Sequence, residues 1–150
     1  MKLRQLDVMS LNLCSVAVEP FDSVRDLGVI LDSEVLMRVH ISKISSSCFF
    51  HLRRLCKLRP LIDTASAQRL ASAFILSRVD YCNTVLAGLP TSTLAPLQRV
   101  LNAAARVVAG GTLHTHVSGI MKSLHWLPIA YRIHFVCLCT AFTTEPVLRI

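Results

Sequence analysis

One spacing constrains this chain more than any other feature. From residue 37 onward, Met37, Ile41, Ile44, Cys48, Leu52 and Leu55 follow one another at intervals of four, three, four, four and three. Side chains three and four apart share one face of an α-helix, so the six form a single apolar stripe. Lys43, Ser46, Ser47, Arg54 and Lys57 fall on the opposite side, with Arg53 beside them. Pro60 ends the pattern, and Arg59 before it is expected to leave the helical region.

Upstream of this helix the period is different. Leu11, Leu13, Val16 and Val18 read as strand-like with a turn at Ser15, and Val24 with the run from Leu27 to Leu31 reads as a second short strand. Pro20, Asp22 and Ser23 supply the connection. Downstream the helical pattern returns. A second helix is capped by Asp63 or Thr64 and runs to about Leu86, apolar nearly all round and therefore central. Gly88-Leu89-Pro90 stops it. A third begins near Ser92, with Pro96 early in it, and ends at Gly110-Gly111; Arg99 and Arg106, two turns apart, lie on one side of it. A short helix over Val117–Leu124 and a last one from Pro128 towards Phe142 complete the order, with Glu145-Pro146 ending the regular pattern. The expected fold class is mainly α: a short N-terminal β-hairpin or strands, then a bundle of about four to five helices.

The bulk numbers fit a folded chain with affinity for polyanions. Of 150 residues, 53% are hydrophobic and 17% charged, the reverse of a disordered composition. Sixteen Lys+Arg against 9 Asp+Glu leave a formal charge of +7, which favours nucleic acid or acidic membrane. No apolar run approaches the ~20 residues of a spanning helix, and the N-terminus lacks the apolar stretch and cleavage site of a signal peptide. The cysteines Cys14, Cys48, Cys56, Cys82, Cys137 and Cys139 form no C-x-x-C pair and mostly sit in apolar helical patterns, as buried thiols in a reducing compartment do.

Tests for a catalytic centre fail one after another. Gly110-Gly111 follows a helix, whereas a phosphate loop precedes one. No G-x-S-x-G elbow occurs. His114-x-His116 with Cys137-x-Cys139 could be assembled into a zinc site only by arrangement, since residues two apart on a helix diverge. Two-metal nucleotidyl transfer requires converging carboxylates, and no two acidic residues are adjacent. No catalytic and no metal-ligating residue is assigned. The basic helix remains: Lys43, Arg53, Arg54, Lys57 and Arg59, joined by Arg99 and Arg106, could hold successive phosphates without reading bases. A solvated amphipathic face would carry the same pattern.

Six motifs occur in order: Arg25-Asp26-Leu27-Gly28-Val29-Ile30-Leu31-Asp32, Cys48-Phe49-Phe50-His51-Leu52-Arg53, Ser77-Arg78-Val79-Asp80-Tyr81-Cys82-Asn83, Gly88-Leu89-Pro90, the stretch from Leu97 to Arg106, and the stretch from Leu124 to Ile133. Together they resemble the reverse-transcriptase polyprotein of LINE-type (non-LTR) retrotransposons, in the part that follows the polymerase palm. The resemblance covers roughly residues 11–140. It implies an end-of-palm β segment over 1–33, a helical thumb-like domain over 34–144 and a tail over 145–150. The family's aromatic-x-Asp-Asp catalytic hairpin lies upstream of the matched region, so no catalytic residue carries over. Mg²⁺ would belong to the absent palm, leaving this chain without a cofactor of its own. The implied partners are the backbone of an RNA/DNA template–primer duplex, which a thumb grips, and the palm itself. The stretch from Gly110 to His116 is less charged than in relatives, and the sequence drifts after Thr140. Both point to a truncated or decayed copy, so a remnant without independent activity is the alternative reading.

Overall fold

The computed structural model describes residues 11–13, 16–18, 22–34, 36–111 and 116–143, with backbone alone at 11–13, 16–18 and 141–143. Ser15, Pro20, His114 and the Glu145-Pro146 stop lie outside the described residues. The architecture is mainly helical, as expected, with two antiparallel hairpins before the helices.

In the first hairpin β1 (Leu11–Leu13) pairs with β2 (Val16–Val18), Leu11 opposite Val18. In the second, β3 (Ser23–Asp26) pairs with β4 (Val29–Asp32), Asp26 opposite Val29. This corrects the expected strand over Leu27–Leu31, and it moves Ser23 from the connection into a strand. Leu27 and Gly28 form the turn instead, with φ of 45° and 85°. Positive φ at both central residues gives a two-residue turn the twist its flanking strands need. The Tyr81 hydroxyl donates to the Leu27 carbonyl at 2.6 Å. The tyrosine ring would stand 3.3 Å from a Cβ added at Gly28, so a side chain there would press on the ring as well as strain the positive φ.

Helix α1 (Arg38–Leu58) forms where the stripe places it and buries Ile41, Cys48, Leu52 and Leu55, with Met37 before it. α2 covers 64–80 and is capped by Asp63, whose carboxylate accepts from the amides of Ala65 and Ser66 at 3.0 and 3.2 Å. A widened π turn over Ser72–Leu76 interrupts it. α3 (Thr91–Ala109) buries Leu97, Val100, Leu101, Ala104, Ala105 and Val108 completely and ends on left-handed Gly110. α4 (Val117–Ser123) and α5 (Ile129–Thr143) close the bundle, with Met121, Trp126, Ile129 and Ile133 in the same core as α1 and α3. Val29 of β4 joins that core.

Two further expectations are corrected. The second helix stops at Asp80, well short of Leu86; Tyr81 turns extended and Cys82 adopts a φ of 56° before a 3₁₀ turn over Asn83–Leu86. Long-range bonds account for this stop. Asp80 accepts from Arg132 Nε of α5 at 2.7 Å and from Asn83 Nδ2 at 3.1 Å, while Tyr81 reaches the hairpin turn. α2 is also less enclosed than its composition suggests, since Phe74 is exposed and α3 occupies the centre. Among the cysteines, Cys48 is buried but Cys56 and Cys139 are exposed.

α1 and α3 run in the same direction. Arg59, directly after α1, donates from Nε to the carbonyls of Val107 and Val108 in the last turn of α3, both at 3.2 Å. At the other end Arg38 and Ser42 of α1 line one groove with Ser92 and Thr93 of α3.

Candidate nucleic-acid interface

Neither α1 nor α3 contains an aspartate or a glutamate. The cations on them therefore face no intrahelical partner, and among the described residues the one ion pair is Arg132 with Asp80, far along the chain. α1 is about 30 Å long at 1.5 Å per residue, so its charges cannot act as a point. Their positions divide the expected set into separate places.

Arg53, Arg54 and Lys57 are all exposed near the C-terminal end of α1. Successive residues on a helix diverge by about 100°. Arg53 and Arg54 thus lie on opposite flanks of the exposed side, and Lys57, four and three residues on, stands between them. The Arg54 guanidinium lies 5.6 Å from the centre of the Phe50 ring, a cation–π distance that restrains it. His51 stacks on Phe74 of α2 at 5.4 Å and ties this end of α1 to α2. Burial, together with Arg78 and Arg54, holds the His51 imidazole below its ordinary value, so no further positive charge comes from it at neutral pH.

Lys43 lies apart from these, nearly three turns back along α1. It lines a cavity with Arg25 of β3, Arg78 of α2 and the ring of Tyr81. Arg25 and Arg78 were not singled out in the sequence, because they sit on other elements and only the fold assembles them with Lys43. Arg99 lines the groove between α3 and the first half of α1, as does Arg38, which the sequence pattern also left unmarked. Arg106 shares the side of Arg99 but is half-buried, with its Nε out of reach of solvent and without a partner.

Arg59 belongs to none of these places. Besides the two α3 carbonyls, its Nη1 donates to the Ile62 carbonyl and its Nη2 to Thr64 Oγ1, both at 2.9 Å. It remains helical, with φ −54° and ψ −39°, against the expectation that the residue before Pro60 would leave that region. Those four acceptors hold it there, and Pro60 fits because it enters as an early residue of a 3₁₀ turn over Arg59–Leu61. Arg59 caps the C-terminus of α3, where a cation meets the negative end of the helix dipole.

Of the histidines weighed against a zinc site and not assigned to one, His114 lies outside the described residues, and His116 precedes α4. Among the described residues no three His, Cys, Asp or Glu side chains gather as a metal site, and no helix is long and apolar enough to cross a membrane. Comparison of the chain with protein-family models, with curated proteins and with solved structures finds no match.

Proposed function

We propose that this chain is a helical module that binds the backbone of a nucleic-acid duplex without reading its sequence. The observation that carries the reading is the packing of two parallel helices that present exposed cations and no carboxylate. Arg38, Lys43, Arg53, Arg54 and Lys57 stand on α1 and Arg99 on α3. Spread over a rigid helix, such cations meet successive phosphates and contribute affinity that is independent of base identity. Within that class, the ordered motifs favour the thumb-like, post-palm part of a LINE-type reverse transcriptase, a polymerase fragment without its catalytic Asp-Asp pair. The parent palm is then its second partner. An exposed apolar row on α5, Tyr131, Phe135 and Leu138, suits a helix that packs against further protein.

Duplex affinity measured against salt tests the reading. Each phosphate neutralised steepens the dependence of log K on log salt by about 0.9. Replacing Arg53, Arg54 and Lys57 together by Glu is expected to weaken binding to unrelated sequences equally, and to flatten that slope by about 3. Unchanged affinity in a folded triple variant would remove the C-terminal half of α1 from the interface. Weak, salt-insensitive binding by the unaltered protein would favour the remnant reading.

A further inference from the structure

α4 ends in a turn that builds one wall of a cavity which none of the cations of the duplex reading lines. The amide of His125 donates to the carbonyl of Lys122 at 3.1 Å, and that of Trp126 donates to the carbonyl of Met121 at 2.8 Å. This nested pair of bonds is the Schellman ending of a helix, in which the two outer residues commonly meet in an apolar contact. His125 takes the left-handed conformation the ending requires, with a φ of 56°, where glycine is the usual residue. Trp126 is thereby turned inward. It and Met121 line a cavity of about 980 Å³ between α3, α4 and the start of α5.

A relay of amides sets the α3 wall. The backbone N–H of Ile129 donates to Gln98 Oε1 at 2.9 Å. A backbone amide can only donate, so the oxygen of Gln98 is fixed on that side and its nitrogen on the other. That nitrogen donates to Asn102 Oδ1 at 2.8 Å. The Asn102 amide is fixed in turn, and its Nδ2 is left as an open donor in the lining of the cavity. A second open donor is Trp126 Nε1. The residue is 7% exposed, and its indole N–H donates to none of the described residues, yet the nitrogen is not sealed from solvent. A buried indole ordinarily finds an acceptor. Lys122 adds an exposed ammonium. Met121, Leu127 and Pro128 supply apolar surface, and no carboxylate of the described residues lines the space.

We propose that this cavity binds a small aromatic carboxylate. The carboxylate accepts from Asn102 Nδ2 and Trp126 Nε1, and Lys122 balances its charge. The ring covers the apolar wall. Donors without opposing acceptors select an acid over an amine, and the apolar wall selects a ring-bearing acid over acetate. The site is independent of the duplex reading, because it uses none of the side chains that meet phosphates there.

Trp126 is the single tryptophan of the chain, so its emission reports on this cavity. The full chain is titrated with phenylacetate, with phenylacetamide and with acetate at equal ionic strength. A saturable change with phenylacetate is expected at or below about 1 mM. Phenylacetamide should bind about threefold more weakly or worse, and acetate should give no saturable change. Asn102→Asp keeps an oxygen for Gln98 and replaces the open donor by an acceptor of the same shape. It should weaken phenylacetate by about tenfold or more and leave phenylacetamide, which can donate, no weaker. Lys122→Gln, at an exposed position, should weaken phenylacetate by about threefold and gives the same test if Asn102→Asp does not fold by circular dichroism. No saturable change with phenylacetate, equal affinity for all three probes, or phenylacetate affinity unaltered in the folded variants overturns the proposal.

Discussion

Arg59 shows how one side chain can look like part of a binding surface and act as an internal brace. In sequence it extends a basic run. In space all three of its guanidinium nitrogens donate, to three carbonyls and a hydroxyl drawn from the end of α3, from Ile62 and from the start of α2. Arg59→Met keeps most of the aliphatic bulk and removes those bonds. A loss of about 1–3 kcal/mol in urea unfolding is expected, with duplex affinity of the folded variant changed by less than about twofold. A larger loss of affinity at unchanged stability would return Arg59 to the interface. The acceptors on α3 lie 48 and 49 residues away, so no local pattern could reveal this role. Asp63 is the opposite case: its capping bonds are to amides two and three residues on, and the local sequence narrows the cap to Asp63 or Thr64.

At the level of elements, the apolar stripe of α1 was legible because a helix face depends on spacing alone. The stop at Asp80 was not, since the Cys82 backbone is bent by contacts to α5 and to the hairpin and carries no glycine or proline as a signal. The hairpin is fastened to α1 through His40. The amide of Ile30 donates to His40 Nδ1 at 3.3 Å, which requires an unprotonated ring, and burial holds that imidazole below its ordinary value of 6.5. The folded form therefore binds this proton less readily than the unfolded chain does. Its stabilisation is fully present above about pH 6.5 and is lost as the pH falls from there towards the folded value, by at most about 1.4 kcal/mol per pH unit for one proton. Urea midpoints are expected to drop between about pH 7 and about pH 5, and His40→Gln should flatten the drop. His51 is shifted in the same direction, so the difference between protein and variant is the informative quantity. An identical pH slope in both would show that His40 plays no part.

For the molecule as a whole, the carboxylates explain what the sequence said and did not say about chemistry. Asp80 pairs with Arg132, Asp63 caps α2, and Asp32 accepts from the amide of Leu36 at 2.8 Å. Each of these three has a structural use at a separate place. The purified chain is expected to incorporate no nucleotide on a primed template with Mg²⁺ or Mn²⁺. Template-dependent extension by clean protein would count against a fragment without its catalytic hairpin. The mainly helical class and the order of elements could be read from periodicity and from Gly and Pro punctuation. The grouping of Lys43 with Arg25 and Arg78, and of Arg99 with Arg38, could not, because each group spans elements whose docking the linear pattern does not encode.

The Arg59 junction also has a mechanical meaning. Three helix ends meet on one guanidinium, so that end of the bundle behaves as a triangulated corner that resists shear. At the opposite end, where Arg38 and Arg99 line one groove, no side-chain hydrogen bond joins the two helices among the described residues. A load applied along the two helices would leave the braced corner standing and splay the open end, as a pair of tongs opens away from its rivet.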